Sequence, residues 1–189
     1  MNSYCPRLVF RLSTIASLVL FASLLTAHAA SLTQREHLTP EEIEQVRENQ
    51  ELDKRIGVFV KAVERRMQAA TGQSSPLLSK QAQKLAQKDE ETLGALPPST
   101  RAQLFSDIAK ILDEAIVNID DAAIHAAKSP LVPKALRKLA DAAGRILPQL
   151  TTMRDAIEAG GERESLELAI ENAQSIVEAA KKIPSETKK

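Results

Sequence analysis

Apolar residues recur every three or four positions over most of the chain beyond residue 38, and this is the period of an α-helix. The pattern predicts five helices, near residues 40–70, 80–93, 100–128, 131–159 and 162–182. No alternating apolar and polar run bounded by turn residues indicates a strand. Because short segments join successive helices, we expect an all-α fold, an antiparallel up-and-down bundle of four long helices plus one short helix.

The first predicted helix has a complete set of start signals. Thr39 is placed as the N-cap with Pro40 at the first helical position, and Glu42 completes a capping box with Thr39. Gly72 is placed to end the helix, and the apolar spacing is regular from Leu52 onward. We therefore expect one continuous helix of about 45 Å at 1.5 Å per residue.

The fourth predicted helix carries eight apolar residues spaced 4, 3, 4, 3, 4, 3, 4 between Val132 and Ile157. Pro148 lies inside this stretch but off the apolar stripe, and Gly144 leaves room near the carbonyl that the proline ring crowds. We therefore expect one bent helix that passes through Pro148. Together with a widely apolar third helix, the stripes predict a core: Ile56, Phe59, Val63, Ile108, Ile111, Leu112, Ile116, Leu139, Ile146, Leu150, Ile170 and Val177.

The first 29 residues have the features of a secretory signal peptide that is removed. Arg7 and Arg11 flank the start of an uncharged run from Thr14 to Thr26, and Ala27-His28-Ala29 resembles a signal-peptidase site. The run is shorter than the roughly 20 residues that span a bilayer, so we expect no integral membrane anchor after cleavage. We expect an exported protein, located in the periplasm or outside the cell.

Cleavage after Ala29 would leave 189 − 29 = 160 residues, which suits one domain. We expect a flexible N-terminal arm at 30–38, a single helical-bundle domain at 39–183 and a frayed tail at 184–189. The lone cysteine, Cys5, would leave with the signal peptide, so no disulfide is expected. The mature chain would carry 25 − 2 = 23 basic against 25 acidic residues, a balance that gives no reason to expect nucleic acid as a partner.

One helical stripe could hold a divalent metal. Glu114, Asn118, Asp121 and His125 are spaced 4, 3, 4, and oxygen and imidazole ligands suit such ions. A solvated stripe in which His125 stabilises the helix end accounts for the same residues. We therefore expect no metal site and no cofactor, with Glu114, Asp121 and His125 as weak metal candidates. His37 follows Glu36 in the predicted arm, where nothing is expected to position it.

The basic cluster Lys61, Arg65 and Arg66, interleaved with Glu64, is expected to be a solvated helix face; binding of an acidic partner is the alternative. The serines fall mostly at turns and caps, and no glycine-rich phosphate loop occurs, so we expect no enzyme activity.

Residues 38–42, Leu-Thr-Pro-Glu-Glu, resemble the Leu-Thr-x-x-Gln motif of small exported helical chaperones of the Spy family, with Glu42 in place of the glutamine. That resemblance implies a chaperone. The sequence as a whole favours an exported, non-catalytic bundle that acts by protein–protein interaction or scaffolding in the cell envelope, with an unknown protein partner. The alternatives are a small periplasmic stress chaperone or apolar-ligand binder, and a weak metal-binding protein.

Overall fold

The computed structural model describes residues 36–72, 80–126 and 129–183, and the side chains of 80–86 are not described. The predicted all-α class is confirmed, since the described residues form helices and no strand. The signal peptide, residues 30–35 of the arm and the tail at 184–189 lie outside the described residues. The helices of the described part are α1 (Pro40–Glu48), α2 (Leu52–Thr71), α3 (Lys80–Leu93), α4 (Arg101–His125), α5 (Leu131–Ala156) and α6 (Gly161–Lys181).

The four long helices α2, α4, α5 and α6 pack against each other as a bundle. Helices α2 and α4 run antiparallel, because Arg55 donates to Asn118 Oδ1 (3.1 Å) near one end and Arg66 Nε lies 3.7 Å from Asp107 Oδ2 near the other. Helices α2 and α5 run parallel. Their contacts progress in the same direction along both helices, from Lys134 near Asp53 to Arg145 near Glu64.

Helices α4 and α6 also run parallel, as shown by the pairs Arg101–Glu162 at 3.0 Å and Asn172 Nδ2–Ala109 O at 2.9 Å. Each of α4 and α5 packs extensively on both α2 and α6, whereas α4 and α5 touch each other only slightly. These two helices therefore occupy diagonally opposite corners. The chain alternates up and down as predicted, but two of the four neighbouring helix pairs are parallel because the α4–α5 connection crosses the diagonal.

One core cluster unites the four long helices and part of α1. Phe59, Phe105, Ile111 and Leu139 are completely buried within it. Every residue of the predicted core is buried except Ile116 and Val177, which are partly buried and pack against the edge of the cluster. The helical periods in the sequence thus located the core correctly.

The continuous helix predicted at 40–70 is wrong: residues 49–51 break it into α1 and α2. Asn49 and Glu51 adopt extended backbone conformations, and the Asn49 carbonyl accepts a hydrogen bond from Arg55 Nε (3.1 Å). Since Glu42 near the start of α1 contacts Arg66 near the end of α2, α1 folds back along α2 as a helical hairpin. The physical reason is the six-residue step from Val46 to Leu52, which would place these two residues on different faces of one helix.

Helix α5 continues through Pro148, as the uninterrupted apolar stripe predicted. It ends at Ala156 rather than near 159, and α4 ends at His125 rather than near 128. Gly72 ends α2 in the left-handed conformation (φ 66°), as expected for a helix-terminating glycine. Within the described residues, no helix is both long and apolar enough to cross a membrane.

Candidate interaction surfaces and a buried charge cluster

A cluster of charged side chains is buried where α1 folds back on α2. Glu42 is completely buried, and its carboxylate accepts hydrogen bonds from Arg66 Nη1 (3.0 Å) and Nη2 (2.8 Å) and from Arg65 Nη1 (2.7 Å). The same carboxylate accepts from the backbone N–H of Thr39 at 2.9 Å, which completes the predicted capping box. Glu42 therefore both caps α1 and forms ion pairs with two arginines.

Arg66 is only 2% exposed and joins three parts of the chain. Beyond Glu42, it donates to the carbonyls of His37 (2.6 Å) and Ala62 (2.9 Å), and its Nε lies 3.7 Å from Asp107 Oδ2 on α4. A buried guanidinium is stable only when paired and hydrogen-bonded in this way.

Arg65 and Thr39 connect the same cluster to the end of α3. The Leu93 carbonyl accepts hydrogen bonds from Thr39 Oγ1 (2.7 Å) and Arg65 Nη1 (3.3 Å), and the Gly94 carbonyl accepts from Arg65 Nη2. The predicted solvated face is thus wrong for Arg65 and Arg66, because the hairpin brings Glu42 onto them. It holds for Lys61, which is half-exposed and pairs with Asp89 at 2.8 Å.

The weak metal candidates are divided between separate contacts. Glu114 Oε2 lies 2.7 Å from His37 Nε2, and Asn118 accepts a hydrogen bond from Arg55. Asp121 and His125 form a pair of their own at 3.3 Å, with both side chains more than 70% exposed. No three His, Cys, Asp or Glu side chains in the described ranges form a group that could hold a metal ion.

The contacts of His37 also correct the expected flexible arm. Besides its side-chain pair with Glu114, its carbonyl accepts from Arg66, and Leu38 is buried in the core. The end of the predicted arm is therefore packed against α2 and α4, while Glu36 is exposed.

A groove of about 320 Å³ runs along the outside of the bundle between α2 and α5, and we call it the basic groove. Lys134 Nζ lies 2.7 Å from Asp53 Oδ2, and Lys138 donates to the Asp53 carbonyl at 2.5 Å. The hydrogen bond from Lys134 is the main cause that lowers the pKa of Asp53, helped by the charge of Lys138. The groove is lined by Val60, Lys134, Arg137, Lys138, Asp141 and Arg145.

Gly57 lies in the first half of α2, beside Lys138 of this groove. A methyl group added there would meet only Lys138 Nζ within 4 Å, at an ordinary contact distance of 3.8 Å. Packing within the described residues therefore does not require a glycine at this position, although glycine weakens a helix interior.

The outer face of α4 presents two large apolar side chains to solvent, Val117 (57% exposed) and Ile124 (78% exposed). Exposed Asp113 and Asp120 alternate with them at a spacing of 4, 3, 4. We call these four residues the acidic row. A third large exposed apolar residue, Leu168 on α6, is 50% exposed.

Sequence reasoning missed both surfaces. The spacing of Lys134, Lys138 and Arg145 does place three cations on one helix face, which the sequence indicates by itself. What the sequence could not indicate is that Asp53 and Val60 of α2 lie beside them.

A second cavity, of about 330 Å³, lies at the end of the bundle near the α1–α2 turn and the start of α5. Its lining is mainly apolar: Gln50, Glu51, Leu52, Ala122, Ala126, Ser129, Leu131 and Val132.

Comparison with known proteins adds no assignment, since no family model, curated protein or solved structure matches this chain.

Proposed function

We propose that this protein is an exported, non-catalytic scaffold that binds an acidic protein surface through the basic groove. The observation that carries the proposal is the row of cations on α5, which lies over the side of α2 at an open edge of the bundle. Lys134 and Arg145 are each more than half exposed, so a partner can reach them.

The charge of the groove favours carboxylates over other ligands. Lys134, Arg137, Lys138 and Arg145 supply four positive charges, against the three carboxylates of Asp53, Glu64 and Asp141. Arginine can bind a carboxylate through two parallel hydrogen bonds, which adds direction to the attraction. An excess of positive charge at one edge of a nearly neutral chain gives an incoming acidic surface a preferred site.

The packing of the bundle suits a docking role. Helices α2 and α5, which form the groove, are both fixed in the core by completely buried residues such as Phe59 and Leu139. A surface built on two packed helices is preorganised, so binding does not require ordering of the backbone. The predicted signal peptide supports an envelope or extracellular partner.

The test is capture from an envelope extract of the source organism by the tagged mature protein. We expect one stoichiometric protein to be retained at low salt and released at high salt, because exposed ion pairs are screened. The double variant Arg137→Glu/Arg145→Glu should lose it. A matched control, Lys88→Glu on exposed α3, should retain it. Identical proteins captured by all three forms would contradict the proposal.

A second candidate function, binding of a small apolar ligand, is favoured by the cavity at the end of the bundle. Leu52, Leu131 and Val132 line it together with Ala122 of α4 and Ala126, which directly follows α4. Laurate is a suitable probe, since its alkyl chain can fill such a space. Saturable binding of laurate that is abolished in Val132→Trp would favour this function; binding unaffected by that substitution would exclude this cavity as the site.

A further inference from the structure

We infer that the partner in the basic groove is a second copy of this chain, which inserts its acidic row. The inference rests on the proposed function, because it names the occupant of the same groove. Both complementary surfaces belong to the described residues, so their spacing can be compared directly.

The acidic row has carboxylates available for a partner. Asp113 and Asp120 are exposed and make no hydrogen bond or ion pair with other side chains of the described chain. They are seven residues apart, which is about 10.5 Å along α4 at 1.5 Å per residue. Val117 lies between them on the same face and is 57% exposed.

The cations of the groove have the same spacing. Lys138 and Arg145 are also seven residues apart on α5, about 10.5 Å along the helix axis. Asp113 and Asp120 of one copy can therefore reach both cations of another at the same time. The apolar Val117 would then lie over the side of the groove that contains Val60.

Gly57 makes a close approach possible. It lies beside Lys138, and no other described atom occupies the space where its Cβ would be. A helix from a second copy can thus come nearer to the backbone of α2 at this point than a larger residue would allow. A helix-interior glycine that internal packing does not require is consistent with an intermolecular contact.

The corner positions of α4 and α5 decide what kind of assembly results. Because these helices are diagonally opposite, the acidic row on α4 and the cations on α5 belong to different sides of the bundle. One copy can therefore use both surfaces at once with two neighbours. Such a contact is head-to-tail, and it extends to an open chain or closes to a ring instead of stopping at a two-fold dimer.

The experiment is sedimentation velocity on the mature protein, with two charge-reversal variants that each remove one surface. Asp113→Lys/Asp120→Lys keeps the groove intact, and Arg137→Glu/Arg145→Glu keeps the acidic row intact. We expect the wild-type mean mass to rise with concentration at low salt and to return to the monomer value at high salt. Each variant alone should be monomeric, and their equimolar mixture should associate again at low salt, because the wild-type acidic row fits the wild-type groove and the reversed row fits the reversed groove.

Controls separate this result from unfolding or a general charge effect. Glu171→Lys on α6 and Lys88→Glu on α3 should associate like the wild type, and thermal melts should show every variant folded. The milder Asp113→Asn/Asp120→Asn should lower the association constant by about tenfold, because two exposed ion pairs of ordinary strength are lost.

A wild-type protein that stays monomeric at all concentrations, or variants whose mixture forms no dimer, would overturn the inference. The proposed function would survive that result if a different envelope protein is captured and lost with Arg137→Glu/Arg145→Glu. The proposed function would also be contradicted if no captured protein is lost with the groove variant.

Discussion

Arg66 and Glu42, 24 residues apart in sequence, form a two-bond ion pair in the interior, with nitrogen–oxygen distances of 2.8 and 3.0 Å. The pair connects α1 to α2, and Asp107 extends it towards α4. Hydrogen bonds to backbone carbonyls satisfy further N–H groups of Arg66. The pair therefore determines where the N-terminal hairpin lies on the bundle.

Replacing Glu42 by Gln should destabilise the protein by about 3–5 kcal/mol, because breaking a buried ion pair costs about this much. The other carboxylate near Arg66, that of Asp107, is 3.7 Å from Nε. Urea unfolding followed by circular dichroism measures this loss. The matched control is Glu44→Gln, since Glu44 is exposed and forms only a long surface pair with Arg47. Equal, small losses for both variants would show that the Glu42–Arg66 pair contributes little to stability.

Replacing Ile111 by Ala should lower the free energy of unfolding by about 2–5 kcal/mol, since Ile111 is completely buried and the change leaves a cavity. Ile116 is on the same helix but only partly buried, so Ile116→Ala should cost less. Chemical denaturation of both variants tests the order of these two losses. A harmless Ile111→Ala would contradict the packing of α4 at the centre of the core.

Stability should depend on the ionisation of Asp53. The pKa of this carboxyl is lowered in the folded protein, mainly by the hydrogen bond from Lys134. The contribution is therefore fully present above the unfolded pKa of about 3.9 and is lost as the pH falls through the lower folded value. Urea unfolding across this acidic range should show a steeper decrease in the free energy of unfolding for the wild type than for Asp53→Asn.

Replacing Gly57 by Ala should stabilise the isolated protein by about 1 kcal/mol, because alanine favours a helix interior and its methyl group has room. Gly72→Ala provides the opposite control, since Gly72 has φ 66° and a side chain there is strained. The midpoint of thermal unfolding should rise in Gly57→Ala and fall in Gly72→Ala. A loss of stability in Gly57→Ala would show that the space beside Lys138 is not available.

The native protein should begin near Ala30. The charge, the length of the apolar run and the small residues before that position motivate this expectation. Mass spectrometry of the protein isolated from its own cells measures the terminus directly. An intact Met1 in the folded protein would contradict both the predicted cleavage and the predicted export.

The sequence predicted the helices of the bundle well because each has a regular apolar stripe. The path of α5 through Pro148 is an example, since the stripe continues on both sides of the proline. The stripe before Leu52 is irregular, and that irregularity marks the turn between α1 and α2. Complete capping signals at Thr39 show where a helix begins and not how far it extends, so they do not indicate this turn.

The burial of Arg65 and Arg66 could not be predicted in the same way. Their charge and the neighbouring Glu64 are typical of a solvated face, and Glu42 already had a role in the capping box. Only the folded-back α1 shows that one carboxylate performs both tasks. The basic groove was missed for a similar reason, because parallel packing of α2 and α5 is a property of the tertiary fold.

The packing of His37 and Leu38 would have a consequence for the order of events if the chain is exported as the sequence predicts. If the signal peptide ends at Ala29, residues 30–36 are all that separate the cleavage site from the folded domain. Fully extended, this segment spans at most about 25 Å. A bundle that had already folded would thus be held within that distance of the membrane by an uncleaved signal. If the protein is exported, this short tether favours cleavage of the signal peptide before α1 docks on α2.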